Sequence, residues 1–244
     1  MVFQEAIVSY RKNISAAIGF ALLLVFVLPF VMLSNAFISS GTVLIDYGFL
    51  SNISLEIVLL LIFTLLFLYF YSLFVCLMVF TVRKDLSHVK IGIYLNEKLQ
   101  KFAFKYFRFL AIFTVSAAIL SSVLINQGVP IELINIILFF ASASFLFLAQ
   151  TIVVDEESLR SSILANWEFI LKDFKTFLVV MLFGIISVGI LQLVEFAIDY
   201  FFLVGNFVSL LIALIVLVPF LEVLKTRIYM HRFEIIRSYT SSQE

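Results

Sequence analysis

Residue types that could carry out catalysis or bind a metal are few in this sequence. His88 and His231 lie far apart, and the single cysteine, Cys76, stands at no metal-ligand spacing from either. Cys76 lies in an apolar run, which is typical of a small buried hydrophobic residue. No nucleophile elbow, phosphate-binding loop or zinc-protease helix motif occurs. We therefore predict a protein that is not an enzyme and that binds no metal or cofactor.

Three consecutive acids, Asp155-Glu156-Glu157, form one compact group of potential ligands. Their carboxylates could hold a cation, since oxygen ligands suit Ca²⁺ and Mg²⁺. They could equally stabilise the N-terminus of a helix, where the macrodipole favours negative charge. The amphipathic sequence that follows favours the second interpretation, with a helix over residues 155–175.

Acids and bases are absent from the middle of every long apolar run. Glu56, Glu132, Glu195 and Asp199 fall at one edge of these runs, and Glu222 falls near the other. Intramembrane charge would be the first sign of an ion or proton pathway. Its absence predicts that these acids are solvated at the membrane interface.

The composition requires most of the chain to face lipid. Hydrophobic residues make up 64% of the 244 residues and charged residues only 13%, against about 25% charged in soluble domains. The pattern predicts an all-α polytopic membrane protein, one domain over residues 1–244. The first apolar run, residues 14–37, is longer than the apolar core of a signal peptide, so we expect that it is not cleaved off. The six predicted spans cover about residues 14–37, 57–82, 109–125, 133–154, 177–194 and 207–224.

Basic residues are sorted strictly to one side of these spans. All sixteen lie before span one, between spans two and three, between spans four and five, or after span six. The other three loops contain none. The positive-inside rule makes the basic side cytoplasmic. We expect a plasma-membrane protein whose N- and C-termini are both cytoplasmic.

Amphipathic segments precede each odd-numbered span, over residues 3–12, 96–108 and 155–175. Asn96 is a good N-cap for the second. Each segment leads into two spans joined by an outer loop, which predicts three helical hairpins with cytoplasmic amphipathic helices. True internal repeats and chance similarity of membrane helices both explain this pattern.

One apolar stripe of the third amphipathic segment is a candidate surface for lipid or a partner. Its members recur three or four residues apart, as on one helix face, and they are Leu159, Ile163, Trp167, Ile170 and Phe174. The Trp167 indole suits both the headgroup region and packing between helices.

Small residues are grouped in spans three and four, where they would let two helix backbones approach closely. The candidate packing residues are Ala118, Ser122, Ala141 and Ser142. Because the turn between these spans is short, we expect spans three and four to form the tightest helix pair.

The run from Ile152 to Leu159, reading IVVDEESL, with Ser162, Asn166-Trp167 and Asp173 after it, resembles a family of prokaryotic six-span membrane proteins common in archaea. That family is uncharacterised and is related to the membrane domain of glycerophosphoryl diester phosphodiesterases. The resemblance implies the six-span architecture. It implies no catalytic residue here, because the active site of such enzymes lies in a separate soluble part.

Two functions remain open from the sequence. The first is a non-enzymatic accessory or scaffold protein whose cytoplasmic helices bind anionic lipid headgroups or a protein partner. We do not expect it to bind nucleic acid. The second is a transporter or permease subunit that moves a lipid or an apolar solute.

Overall fold

A computed structural model describes residues 2–32, 36–45, 55–87 and 94–232. Its first half contains α1 (Val2–Lys12), α2 (Ile14–Gly19), a 3₁₀ turn (Phe20–Leu23), α3 (Leu24–Met32), β1 (Ala36–Ser39), β2 (Thr42–Ile45) and α4 (Leu55–Ser87). Its second half contains α5 (Tyr94–Asn126), α6 (Ile131–Ala143), α7 (Leu148–Val154), α8 (Leu159–Lys172), α9 (Phe174–Phe202), α10 (Gly205–Ile212), a π-helix (Ala213–Leu217) and α11 (Val218–Arg232).

The chain is a mainly helical, multi-pass membrane protein, as predicted. Five helical segments are long and apolar enough to cross a bilayer, namely Val58–Asp85, Lys98–Asn126, Ile131–Val154, Phe174–Phe202 and Gly205–His231. A sixth results if α1 and the helix after it count as one span, although the two bend by 72° at their junction.

The first predicted span, 14–37, is too long at its C-terminal end. Helix α3 ends at Met32, and Ala36 already belongs to β1, which pairs antiparallel with β2. The two-residue turn between the strands is Ser40-Gly41, and both residues have positive φ, 52° and 73°. Such a turn matches the twist of a tight hairpin, and the apolar strand residues had concealed it within a helical pattern.

The second amphipathic segment and the third span form a single helix, α5, of 33 residues. Asn96 is therefore not an N-cap, since the helix already begins at Tyr94. No proline or glycine separates the two predicted parts, so the backbone hydrogen bonds continue through both. Among the described helices α5 packs most extensively on α4 and only slightly on α6. The prediction that spans three and four form the tightest pair is thus wrong.

The last three predicted spans also differ from the structure at their boundaries. The fourth span breaks after Ala143, and α7 resumes at Leu148. Helix α9 continues to Phe202, so Glu195 and Asp199 lie in the helix rather than in a loop. Helix α11 continues to Arg232 and takes in residues that we had assigned to a C-terminal tail. The predicted tail beyond residue 232, like His88, lies outside the described residues.

The β-hairpin closes one end of the helix bundle, which we call the hairpin end. Ser40 N donates to a carboxylate oxygen of Glu195 (2.5 Å), and Gly41 N donates to Ser209 Oγ (3.2 Å). The same Glu195 oxygen accepts from Ser209 Oγ (2.8 Å). One acid therefore ties the hairpin tip to both α9 and α10.

The opposite end, which we call the basic end, contains lysines and arginines of several helices, among them Arg83 of α4, Lys98 of α5 and Arg227 of α11. The core beside it is built from α4, α7 and α11, whose side chains include the fully buried Met78, Ile152 and Tyr229. Helix α1 packs along α11, where Arg227 donates to Glu5 (2.7 Å) and to Ser9 Oγ (2.8 Å).

Candidate functional site

A cavity of about 590 Å³ lies between α4, α5, α6, α9 and α11. Ligand pockets in proteins have volumes of about 300–1,000 Å³. Most of its wall is aromatic and aliphatic and includes Phe109, Phe113, Phe145, Val180, Met181 and Leu221. Such a wall binds hydrocarbon.

One end of this cavity holds a buried ion pair. Glu222 and Lys225 both line the cavity, are 3% and 6% exposed, and stand three residues apart on α11. Lys225 Nζ lies 2.7 Å from Glu222 Oε1. Buried charges are found in proteins when they are paired and hydrogen-bonded. This pair is the polar end of an otherwise apolar cavity.

Further polar groups, which do not line the cavity, hold Glu222 in place through hydrogen bonds. Gln150 on α7 donates through Nε2 to Glu222 Oε2 (2.9 Å) and lies 3.5 Å from Thr226 Oγ1. Thr226 in turn donates to the Glu222 carbonyl (2.6 Å). Gln150 is fully buried, and its Oε1 has no hydrogen-bond partner in the described part of the chain. An unpaired buried acceptor is costly, so this cluster keeps the capacity to take one more donor.

The break in the fourth span supplies the second partner of Lys225. Leu146 lies in the break, and its carbonyl accepts from Lys225 Nζ (3.1 Å). In an unbroken helix that carbonyl would point along the axis to the amide four residues on. Asn166 of α8 stabilises the break, because its Oδ1 accepts from Phe147 N (3.0 Å) and its Nδ2 donates to the Ser144 carbonyl (2.8 Å).

Two tyrosines complete the polar end of the cavity. Tyr71 on α4 and Tyr106 on α5 both line it. Within the described residues neither phenol makes a hydrogen bond to another group of the chain, so both hydroxyls can bond a ligand.

The cavity opens sideways between α6 and α9. Phe139 on α6 and Ile185 and Val188 on α9 line it, and all three are about two-fifths exposed. In a helix that crosses a bilayer, exposed apolar side chains face lipid. A lipid-like molecule could therefore enter from the side without passing through water.

The acids Asp155, Glu156 and Glu157 do not cap the N-terminus of the following helix, contrary to the preferred interpretation. Helix α8 begins at Leu159, and its N-cap is Ser158, whose Oγ accepts from Ser161 N (3.3 Å). The acidic turn instead joins three other helices. Glu156 accepts from Arg83 (2.9 Å) and Lys98 (2.6 Å), and the Glu157 carbonyl accepts from Lys105 (2.6 Å). Asp155 accepts from Tyr229 (2.5 Å).

The pKa values of two of these neighbouring acids are shifted in opposite directions. Burial raises the pKa of Asp155, and the hydrogen bond from Tyr229 only partly opposes this. Burial would also raise the pKa of Glu156, but hydrogen bonds from Lys98 and Arg83 outweigh it, so the net shift is downward. Glu156 also has a positive φ of 58°, a conformation that costs a non-glycine residue about 1–2 kcal/mol. Its ion pairs offset that cost.

The predicted stripe is divided by the structure, because α8 ends at Lys172 and Phe174 already belongs to α9. Leu159, Ile163 and Ile170 pack against the core, whereas Trp167 and Phe174 are 47% and 54% exposed. The centre of the buried face is formed by Ser162, Asn166 and Phe169. Trp167 contacts the rim of the cavity, with its ring edge-on to Phe145 at 6.3 Å between centroids.

None of the four predicted packing residues is fully buried. Ala118, Ser122 and Ala141 are half-buried, and Ser142 is exposed to the cavity. The hydroxyls of Ser122 and Ser142 bond to carbonyls of their own helices. Their role in helix packing stays a prediction.

Sequence reasoning missed the ion pair, because it placed Glu222 at the membrane interface and Lys225 in the tail. The available signal was an acid and a base at i and i+3 directly after a long apolar run, with Gln150 in another span. In the described part of the chain no group of three or more potential ligands could hold a metal ion.

Comparison of the chain with protein-family models, curated protein sequences and solved structures finds no match. The resemblance to the six-span prokaryotic family therefore stays a prediction that rests on the residues given for it.

Proposed function

We propose that this protein is a non-enzymatic, multi-pass membrane protein that binds a lipid-like amphiphile and moves it, as a transporter or permease subunit. The observation that carries the proposal is the cavity of about 590 Å³, with apolar walls, a lateral opening and the buried Glu222–Lys225 pair at one end. An amphiphile matches such a cavity, since its chain contacts the apolar wall and its headgroup the polar end.

The proposed arrangement in the membrane has six spans in three hairpins. The first span consists of α2, the 3₁₀ turn and α3, and α1, which is bent by 72° from it, lies at the basic end. The basic end faces the cytoplasm of a plasma membrane, and both termini lie on that side. The sorting of all sixteen lysines and arginines supports this orientation, by the positive-inside rule.

Helix α8 favours a second, accessory role at the cytoplasmic surface. Leu164, Trp167 and Leu171 of α8, with Phe174 at the start of α9, leave an apolar outer face between 47% and 74% exposed. Lys172 and Lys175 stand beside it, and each could add about 1 kcal/mol of attraction to anionic lipid headgroups. This face would rest on the membrane or on a protein partner, with no role for nucleic acid.

A transport assay with two matched glycines of α9 tests the main proposal. Gly184 lines the cavity and Gly189 is exposed on the outside, and a Cβ at either position meets no atom within 4 Å. The full chain is reconstituted in proteoliposomes, and the movement of a fluorescent lipid between leaflets is followed by quenching. We expect Gly184→Leu to slow the movement because it fills the cavity, and Gly189→Leu to have no effect.

Lipid movement no faster than in protein-free vesicles would contradict transport by this chain. Equal rates for the two glycine variants would show that the cavity is not the route.

A further inference from the structure

The formal charges of the residues that line the cavity sum to zero. Among the residues that line it, Glu222 and Lys225 carry the formal charges, one of each sign, and they lie 2.7 Å apart. A ligand that brings a net charge to this end would remain uncompensated in a buried setting, which is unfavourable.

The polar end nevertheless offers donors and an acceptor at close range. Lys225 Nζ carries three N–H groups, of which two are used by Glu222 Oε1 and by the Leu146 carbonyl. The third can be given to a ligand. The hydroxyls of Tyr71 and Tyr106 can donate as well, and each Glu222 carboxylate oxygen, which accepts one bond from Gln150 or Lys225, has a lone pair left.

A hydroxyl group fits this arrangement better than a phosphate. It accepts from an ammonium or a phenol and donates to a carboxylate, so it can bridge the ion pair without separating it. A phosphate would draw Lys225 away and would place a second anion beside Glu222. A phosphocholine group is neutral overall, but each of its charges could be paired only by separating Glu222 from Lys225.

We infer that the cavity takes an amphiphile with an uncharged, hydroxyl-bearing headgroup, such as a long-chain or isoprenoid alcohol or an acylglycerol. The inference rests on the proposed function, because it concerns the same cavity. It adds the class of headgroup and assigns Glu222 as its acceptor and Lys225, Tyr71 and Tyr106 as its donors.

Photolabelling with three matched probes tests which headgroup the cavity prefers. The probes share one alkyl chain with a diazirine and end in a hydroxyl, a phosphate monoester or a phosphocholine group. The full chain is reconstituted in phosphatidylcholine nanodiscs, irradiated, and digested, and labelled peptides are located by mass spectrometry. We expect the hydroxyl probe to label the cavity helices α5 and α9 about tenfold more than the phosphate probe, the ratio that ~1.4 kcal/mol represents.

A change of charge should switch this preference. Glu222→Gln leaves Lys225 without its counter-ion, so labelling by the phosphate probe should rise and overtake that by the hydroxyl probe. Glu168→Gln is the matched control, because Glu168 forms an exposed pair with Lys172 one turn along α8. The control should keep the wild-type preference. Gel filtration of each variant identifies any that fails to fold, and the wild-type preference is measured independently of both.

The outcomes distinguish the inference from the proposal beneath it. Preferential labelling of the cavity by the phosphate or phosphocholine probe in the wild type would overturn the inference and leave lipid binding intact. Labelling of the cavity by none of the probes would overturn the proposed function, and the inference with it.

Discussion

The carboxamide of Asn166 substitutes for two backbone hydrogen bonds at the break in the fourth span. It is fully buried, accepts from Phe147 N and donates to the Ser144 carbonyl. The break in turn presents the Leu146 carbonyl to Lys225. One side chain on α8 thus shapes the polar end of a cavity that it does not line.

Asn166→Leu should lower the stability of the protein markedly. The substitution leaves a backbone N–H and a carbonyl without partners, and each unsatisfied buried group costs about 1–3 kcal/mol. Melting in detergent checks this expectation. Asn206→Leu is the control, because Asn206 is exposed at the start of α10. If both variants melt at the wild-type temperature, Asn166 does not hold the break.

Glu156 stabilises the basic end only while it is ionised. Its pKa in the folded protein is lowered from 4.5, so its contribution is complete above that value and is lost as the pH falls through the lowered pKa. Asp155 acts in the opposite sense. Its raised pKa means that stability is lost as the pH rises from 3.8 through the folded-state pKa, because burial disfavours its charged form.

Glu156→Gln should destabilise the protein at pH 7 by about 0.5–1 kcal/mol, since both of its ion pairs are partly exposed. The difference from wild type should shrink as the pH is lowered from 7 through the lowered pKa of Glu156, because the wild-type carboxylate takes up a proton there. Melting temperatures across this range measure the effect. Glu157→Gln provides the control, since the bond from Lys105 is accepted by the Glu157 backbone. A difference that is constant with pH would argue against the ion pairs.

At the scale of residues, a group of functional side chains could be recognised from the sequence, but the residues that contact it could not be predicted. Asp155-Glu156-Glu157 was recognised as a notable group, yet its partners Arg83, Lys98 and Tyr229 come from three other helices. Local reasoning considers only the following turn of helix, and there a cap is the natural expectation. Glu222 was assigned to the interface for the same reason, because its burial depends on α7.

The β-hairpin is the element that departs most from a simple helix bundle. Its tip enters between α9 and α10, and a Cβ at Gly41 would lie 2.6 Å from Ala213 Cβ and 3.0 Å from the Ser209 carbonyl. Gly41 also needs a positive φ of 73°. The position therefore requires glycine for two reasons, the conformation and the close approach of neighbouring atoms.

A comparison of two glycines separates these reasons. Gly128 has almost the same φ, 75°, but a Cβ there meets nothing within 4 Å. Gly128→Ala should cost about 1 kcal/mol through backbone strain alone. Gly41→Ala should cost a further ~1–3 kcal/mol through overpacking. Melting in detergent gives both values, and equal losses would mean that the hairpin tip is not inserted in the bundle.

Elements could be predicted to the extent that hydrophobic length defines them. In the described part of the chain the long apolar runs are mainly helical, because an unpaired backbone is not tolerated in lipid. Their interruptions were missed. The hairpin at residues 36–45 and the break at residues 144–147 are stabilised by contacts with Glu195, Ser209 and Asn166, which are remote in sequence and leave no periodic signal.

At the scale of the whole molecule, the two ends of the bundle carry different chemistry. The basic end joins α4, α5 and α11 to the acidic turn through Arg83, Lys98 and Tyr229. The hairpin end is tied by Glu195 and contains no ion pair among the described residues. The positive-inside rule uses the lysines and arginines at one end to predict the orientation in the membrane.

Two glutamines, one near the start of α5 and one just after its end, allow the orientation to be measured. Gln100 and Gln127 are both exposed and uncharged, and their separation of 27 positions corresponds to about 40 Å of helix, more than the ~30 Å hydrocarbon core. Single cysteines at these positions would therefore report from the two sides of the membrane. Their introduction leaves the distribution of basic residues unchanged, so the signal for orientation is preserved. The native Cys76 is fully buried and should stay unlabelled.

With a membrane-impermeant maleimide, Gln127→Cys should react in intact cells, and Gln100→Cys should react only after permeabilisation. This result is expected because Gln100 lies among Lys98, Lys101 and Lys105, which the positive-inside rule keeps in the cytoplasm. The parent chain with Cys76 alone is the background control. The opposite pattern would invert the proposed orientation, and labelling of both cysteines in intact cells would show that α5 does not cross the membrane. Helix α5 is the most direct place for this test because a single unbroken helix joins the two reporters, so no bend or re-entrant turn can bring them to the same side.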